Sequence, residues 1–218
     1  QSLSHISYAV FCLKKKNDAP AYSPGLLTCS HDGVEWLDTT FPDRGPRDWW
    51  NPWLGGSIFR PSAVGDNALI KERSTAAFEE RRDGHGNLWQ GVRVTTTIAE
   101  HEEMRGLEYD QYFLVLPGAP VLLQQAEIRQ GTGTHFAKKG FHTELFVGSD
   151  PTIDTSFSFR NTSRRRVEIV SGHEEKFDAP DGAVTVRRAG ASTSMIAYAD
   201  FQRCRPQTVT NKRTSSVV

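Results

Sequence analysis

The stretch Leu107-Glu-Tyr-Asp-Gln-Tyr-Phe-Leu-Val-Leu-Pro-Gly-Ala-Pro-Val-Leu-Leu-Gln-Gln-Ala-Glu-Ile128 decides the fold class. Its two halves, Leu107–Leu116 and Val121–Ile128, are rich in aromatic and branched residues, which favours β-strands. Pro117-Gly-Ala-Pro120 separates them, and neither strand could continue through it because proline lacks the N–H that a strand ladder needs. The segment therefore predicts an antiparallel hairpin. The core-facing residues that we expect in it are Leu114, Leu116, Val121 and Leu122.

Short strand-like runs of the same kind continue on both sides of this hairpin. Residues 92–98 alternate between branched and polar side chains, and Asp32-Gly33 suits a tight turn between two further runs. Only Ala68–Arg82 offers a possible short helix. We therefore predict an all-β protein, a large two-layer antiparallel β-sandwich. We expect one domain over residues 1–205 and a polar C-terminal tail over residues 206–218.

The composition is that of a foldable protein without a surplus of either charge. The 218 residues include 26 Lys plus Arg and 26 Asp plus Glu, and a net charge of zero argues against a nucleic-acid partner. Arg164 to Arg166 form a local basic cluster, for which a solvated turn is the simpler interpretation. No apolar run approaches the ~20 residues of a membrane span. Because the chain starts at Gln1, we expect a processed or trimmed N terminus and leave a larger parent protein open.

The cysteines and histidines predict neither a disulfide framework nor a metal site. There are three cysteines, an odd number. Cys12 and Cys29 lie on candidate strands on either side of a polar turn and could face each other, but buried free thiols are the favoured interpretation. The sequence has no His-x-x-x-His or Cys-x-x-Cys pair and no phosphate-binding or dinucleotide motif, so we expect no metal and no cofactor.

The segment from Asp43 to Arg60 is the candidate binding loop. It holds three tryptophans, and Gly55-Gly56 would let its backbone approach a ligand closely. Sugars stack their C–H faces on aromatic rings while arginine and amide groups hydrogen-bond their hydroxyls, so we expect a saccharide here. The alternative is that the tryptophans only fill the core. The candidate substrate-binding residues are Trp49, Trp50, Trp53, Arg44, Arg47, Arg60 and Asn51.

Two histidine sites are candidates for acid/base chemistry. His142 and Glu144 alternate along a predicted strand and would share one face of it. His101, beside Glu102 and Glu103, is the second candidate, although ordinary surface or core histidines are the simpler interpretation for both. A glycosidase would need two carboxyls at a set separation. The carboxylates that could pair in space are Asp38, Asp43, Asp48, Glu72, Glu108, Asp110, Glu127 and Glu144.

Three stretches resemble the galactose-mutarotase-like, or supersandwich, domains. They are Gly33-Val-Glu-Trp-Leu-Asp-Thr-Thr-Phe-Pro42, Trp50-Asn-Pro-Trp-Leu-Gly-Gly56 and residues 106–123, within a pattern that runs roughly from residue 26 to residue 201. The resemblance implies a carbohydrate on a concave sheet face, in a superfamily of sugar epimerases, polysaccharide lyases and sandwich modules of glycoside hydrolases. For a mutarotase it also implies a histidine acid, a role that His142 could fill, and a glutamate base from a late strand, where this chain offers Asp200.

Three functions remain open on these grounds. The first is a carbohydrate-binding or accessory module of a carbohydrate-processing protein, with a saccharide as its ligand. The second is an epimerase, lyase or hydrolase that uses a histidine/carboxylate pair. The third is a structural or interaction sandwich. An extracellular or periplasmic location is favoured over a cytoplasmic one, and other domains of a parent protein are open as partners.

Overall fold

The computed structural model describes residues 6–11, 25–38, 56–61, 72–130, 141–148, 153–170, 175–200, 207–211 and 216–217. The chain divides into two compact units. The first contains residues 1–35 and 39–143, and the second contains residues 36–38 and 144–218. The prediction of one domain over residues 1–205 stays a prediction.

Sixteen β-strands and one 3₁₀ turn make up the regular structure of the described residues. The strands are β1 Ile6–Phe11, β2 Gly25–His31, β3 Val34–Glu35, β4 Ser57–Pro61, β5 Arg73–Arg82, β6 Leu88–Thr97, β7 Leu107–Val115, β8 Leu122–Gln130, β9 Phe141–Phe146, β10 Thr155–Arg160, β11 Arg166–Val170, β12 Glu175–Ala179, β13 Ala183–Arg188, β14 Met195–Tyr198, β15 Gln207–Asn211 and β16 Ser216–Val217. The 3₁₀ turn is Glu102–Met104. Their pairings are antiparallel, so the all-β prediction is confirmed and is consistent with a β-sandwich.

The first unit contains the meander β5-β6-β7-β8 and a second set of strands in the order β1-β2-β4, with β3 paired to β2. The meander is apolar on one face because its strands alternate. A buried cluster on that face includes Phe59, Tyr109 and Met104, and the partly buried Phe141 stacks on Phe59 with ring centroids 5.3 Å apart. β7 is buried along nearly its whole length and is, with β6, one of the two interior strands of the meander.

The second unit contains the sheet β11-β10-β13-β14, the strands β16, β15 and β12, and the part of β9 from Glu144 onward. Phe157, Phe159, Val184 and Val186 occupy alternate positions of β10 and β13 and form its buried face, with small or polar residues such as Ser158 and Thr185 between them. The second unit therefore follows the same inward and outward alternation as the first.

The predicted hairpin at residues 107–128 is confirmed. β7 and β8 pair from Leu107↔Gln130 to Val115↔Leu122. Leu114 is buried, while Leu116 and Leu122 are half-buried. The placement of Val121 in the core is wrong, since its side chain is 44% exposed. Its N–H binds the carbonyl of Ala119, which holds it in the turn, before the strand begins.

One other expectation differs from the structure. The helix over Ala68–Arg82 is wrong where it can be compared, because Arg73–Arg82 is a strand that pairs with β6 along its whole length. Tertiary pairing here overrides a weak helical pattern. Within the tail expected at 206–218, Gln207–Asn211 and Ser216–Val217 form strands that pair with β12 and β9, and the β-branched run Thr208-Val-Thr210 suits the first of them.

The turn between β5 and β6 is organised by one carboxylate. Asp83 accepts hydrogen bonds from the backbone N–H groups of His85 and Asn87, at 2.8 and 3.0 Å. It also accepts bonds from the Asn87 side chain and from the Trp89 indole, at 2.8 and 3.1 Å. The longest hairpin of the first unit is therefore closed by contacts within seven consecutive residues.

Gly56 lies close to the backbone of β2. Gly56 was expected to allow close approach to a ligand, but the close neighbour is β2: a Cβ on Gly56 would lie 2.0 Å from the Leu26 carbonyl oxygen, and its φ is +70°. Glycine is therefore required there by the backbone.

Cys29 is a free thiol, which agrees with the favoured interpretation of the sequence. Burial together with nearby Glu35 raises the pKa of this thiol to about 12. Cys12 lies outside the described residues.

Candidate functional site

Most of the predicted saccharide-binding loop lies outside the described residues. This applies to Trp49, Trp50, Trp53, Arg44, Arg47 and Asn51. The backbone of Arg60 belongs to β4, but the structure does not describe its side chain. The binding role of this loop stays a prediction.

The predicted acid/base residues lie on two different elements. His142 and Glu144 occupy alternate, half-buried positions of β9, and strand alternation directs them to the same face. His101 precedes the 3₁₀ turn, where its backbone N–H donates to the carboxylate of Glu72 at 2.9 Å. Its Nδ1 is buried without a hydrogen-bond partner in the described structure. The acid/base roles of the His142 and Glu144 pair and of His101 therefore stay predictions.

A denser group of polar side chains lies on the outward face of the β5–β8 sheet. We call it the polar face and define it by Glu79, Arg81, Arg93, Glu108, Asp110, Tyr112, Glu127 and Arg129. The strand registers bring these residues together, because each lies opposite another outward-facing residue on the next strand. Every arginine of the polar face forms an ion pair with a carboxylate of the same face.

Tyr112 lies at the centre of the polar face between two carboxylates. Its hydroxyl is 3.3 Å from an oxygen of Asp110 and 3.1 Å from an oxygen of Glu127. Arg81 covers the ring, with its Cζ 3.6 Å from the ring centroid, and donates to Glu127 at 2.9 Å. Arg129 reaches Asp110 and Glu108, at 2.7 Å each. Asp110 and Tyr112 are each 1% exposed and thus form a buried inner layer, on which the more exposed charged side chains lie.

The electrostatics of this group keep both carboxylates ionised. Burial alone would raise the pKa of Asp110, but hydrogen bonds from Arg129 and Thr95 outweigh it and the pKa is lowered. The hydrogen bond from Arg81 lowers the pKa of Glu127. Burial and the bond to Glu127 raise the pKa of Tyr112, so the phenol keeps its proton. Two carboxylates therefore share one phenolic proton, and neither is the protonated acid that glycoside hydrolysis requires.

Acid should weaken this network, and Asp110→Asn should reduce the effect. Because the folded pKa of Asp110 lies below its ordinary 3.8, its stabilising contribution is complete above that value and is lost as pH falls through the folded pKa. We expect the free energy of unfolding, measured in urea from neutral pH to about pH 2, to fall less steeply below 3.8 in Asp110→Asn than in the wild type. Asp181→Asn, at an exposed position, is the control. Parallel slopes for wild type and Asp110→Asn would contradict this role.

Sequence reasoning named three carboxylates of the polar face but missed their grouping. Glu108, Asp110 and Glu127 were among the carboxylates that could pair in space. The signal that was available is polar alternation: Glu108, Asp110 and Tyr112 fall on every second position of β7, as Gln125, Glu127 and Arg129 do on β8. The register that brings the two sets face to face depends on pairing between strands.

Comparisons with family models, with curated proteins and with solved structures gave no match. Among the residues described, no helix has the length and apolar character needed to cross a membrane. The same residues contain no group of three or more His, Cys, Asp or Glu side chains placed to hold a metal ion.

Proposed function

We propose that this chain is a carbohydrate-binding module that holds a saccharide on the polar face of the β5–β8 sheet. The observation that carries the proposal is the layered arrangement of that face. Asp110 and Tyr112 form the buried inner layer. The side chains of Arg129, Glu108 and Glu127 above them are 49%, 38% and 40% exposed. Donors and acceptors thus alternate on an accessible surface.

The chemistry of this surface suits vicinal hydroxyl groups. A guanidinium presents several N–H donors in a planar fork, and a carboxylate accepts from hydroxyl groups. Arg81 and Arg129 are already fixed by their carboxylate partners, which reduces the conformational entropy lost when a ligand binds. Trp89 lies on the same face, two residues before Gly91 and four before Arg93, and its indole is anchored to Asp83. Its ring offers a surface on which a sugar could stack.

The proposal agrees with the sequence-based expectations without depending on them. The galactose-mutarotase-like resemblance implies carbohydrate on a sheet face, and the predicted loop with Trp49, Trp50 and Trp53 would add further stacking surfaces. Both the resemblance and the tryptophan loop remain predictions, and both point to a carbohydrate ligand.

Arg129→Lys should weaken glycan binding at least about tenfold while leaving the protein folded. Lysine keeps a positive charge near Asp110 and Glu108, but it lacks the planar fork that bonds two acceptors at once. A glycan array on the wild type identifies the ligand, and calorimetric titration compares the variants. Arg82→Lys is the matched control, because Arg82 is itself exposed and its side chain leaves the sheet on the side opposite the polar face. Equal loss in both variants, or no glycan bound by the wild type, would contradict the proposal.

The second candidate is an enzyme that acts on a glycan, and Tyr112 is the observation that favours it. A phenol between two ionised carboxylates can hold and pass a proton at its hydroxyl oxygen. The ring is covered by Arg81, so catalysis would require that side chain to move. Hydrolysis, elimination or epimerisation of a bound glycan on incubation with the wild type would favour the enzyme over the binding module.

A further inference from the structure

The outward face of the β11-β10-β13-β14 sheet carries an excess of positive charge, because three arginines and one carboxylate, Glu168, lie on its outward strand positions. Arg160 and Arg166 are direct cross-strand partners, and Arg187 lies on the same face of β13. All three are exposed, while their strand neighbours Phe159 and Val186 are buried on the opposite face. Alternation along the strands thus fixes the outward direction of the arginines.

The turn between β10 and β11 adds two more exposed arginines, Arg164 and Arg165. The side-chain oxygen of Asn161 accepts hydrogen bonds from the backbone N–H groups of Ser163 and Arg165, both at 3.0 Å. Arg164 has a φ of 59°, in the left-handed region that usually favours glycine. An arginine therefore occupies a position where a glycine would be less strained.

These five arginines differ from those of the polar face in their lack of ion pairs. Within the part of the chain that the structure describes, none of Arg160, Arg164, Arg165, Arg166 and Arg187 forms an ion pair, whereas Arg81, Arg93 and Arg129 all do. Like charges directly opposite each other on paired strands are destabilising. An anionic ligand would remove that repulsion.

An exposed aromatic ring accompanies the charge. Tyr198 and Ile196 on β14 are 64% and 66% exposed, and Ala197 between them is buried, so both point outward with the arginines. Ile196 lies opposite Thr185 and Tyr198 opposite the small Ala183, which leaves the tyrosine ring open on one side. The face thus combines cations with a flat apolar surface.

We propose that this arginine face binds an anionic polysaccharide. The guanidinium groups would pair with carboxylate or sulfate groups, for which arginine provides bidentate hydrogen bonds, and Tyr198 would stack on a sugar ring. Duplex DNA carries about one charge per 1.7 Å and is bound through a broad basic surplus, which this chain of zero net charge lacks; a few arginines on one face suit a polysaccharide whose anionic groups are more widely spaced. The arginine face belongs to the second unit, and its role does not depend on that of the polar face.

The test compares two double charge reversals in the whole chain. Arg164→Glu with Arg165→Glu changes the arginine face, and Arg73→Glu with Arg82→Glu makes the same change in net charge at exposed positions of β5. Binding is measured at about 50 mM salt to a sulfated polysaccharide (heparin), a carboxylated one (polygalacturonate), a neutral glucan and duplex DNA. Circular dichroism and thermal melting verify that each variant is folded.

We expect the wild type to bind heparin, polygalacturonate or both, and to bind neither the glucan nor DNA comparably. The turn variant should lose at least about tenfold in affinity, and the β5 variant should lose far less. Tyr198→Ala should also weaken binding, which simple attraction between opposite charges would not produce. The difference between the two acidic polysaccharides identifies the anionic group. Equal losses in the two reversals, no binding to either polysaccharide, or binding to DNA of equal strength would each overturn the proposal.

Discussion

Phe113→Ala should lower the free energy of unfolding by about 3–5 kcal/mol, whereas Phe78→Ala should change it by less than about 0.5 kcal/mol. Phe113 is fully buried and Phe78 is 69% exposed. The two residues lie in one row of the same sheet face, since Phe78 is opposite Val92 and Val92 is opposite Phe113. Urea unfolding followed by circular dichroism gives both values. The same atoms are removed in each case, so the difference measures burial.

The comparison also tests the position of β5 in the sheet. A cost for Phe78→Ala close to that of Phe113→Ala would show that Phe78 is covered in solution, contrary to the described structure. Small costs for both would mean that Phe113 of β7 is not buried in solution, contrary to the structure.

Asp38→Ala should destabilise the second unit by about 3–5 kcal/mol, because it would leave a buried guanidinium without its counter-charge. Arg188 donates to Asp38 at 2.7 Å and to the Trp36 carbonyl at 3.2 Å. The side chains of Arg188 and Asp38 are only 5% and 3% exposed. Removing one charge therefore removes the compensation while the desolvation cost of the other remains. Chemical unfolding of the whole chain measures the loss.

The control for this prediction replaces both partners. The double variant Asp38→Leu with Arg188→Met removes the pair and keeps apolar volume, so we expect it to be more stable than Asp38→Ala alone. A double variant as unstable as the single one would show that hydrogen bonding to Trp36, and not an uncompensated charge, dominates the loss.

The alternation of apolar and polar side chains along individual strands was the main basis of the fold prediction. Residues 92–98 and the proline-bounded turn at 117–120 are local signals, and both led to the observed strands. The helix expected at 68–82 is wrong over β5 because Ala76-Ala-Phe78 also suits a helix, and only pairing with β6 decides the matter. Val121 was misplaced because a single hydrogen bond in the turn shifts the start of the strand.

The candidate site was harder to predict because it depends on register. Asp110 and Glu127 are seventeen positions apart, and they become neighbours only when β7 and β8 pair as they do. A shift of one residue would send one set of side chains to the core face. Composition drew attention instead to the tryptophan loop, where three large aromatic residues are visible without any pairing.

The Asp83 turn has a kinetic consequence. Contacts between residues close in sequence form early, since little chain entropy is lost in bringing them together. The bonds of Asp83 to His85, Asn87 and Trp89 span at most six positions. They also set the pairing of Arg82 with Leu88, from which the rest of the hairpin follows in order. The β5–β6 hairpin can therefore serve as the template on which β7, and with it the polar face, assembles during folding.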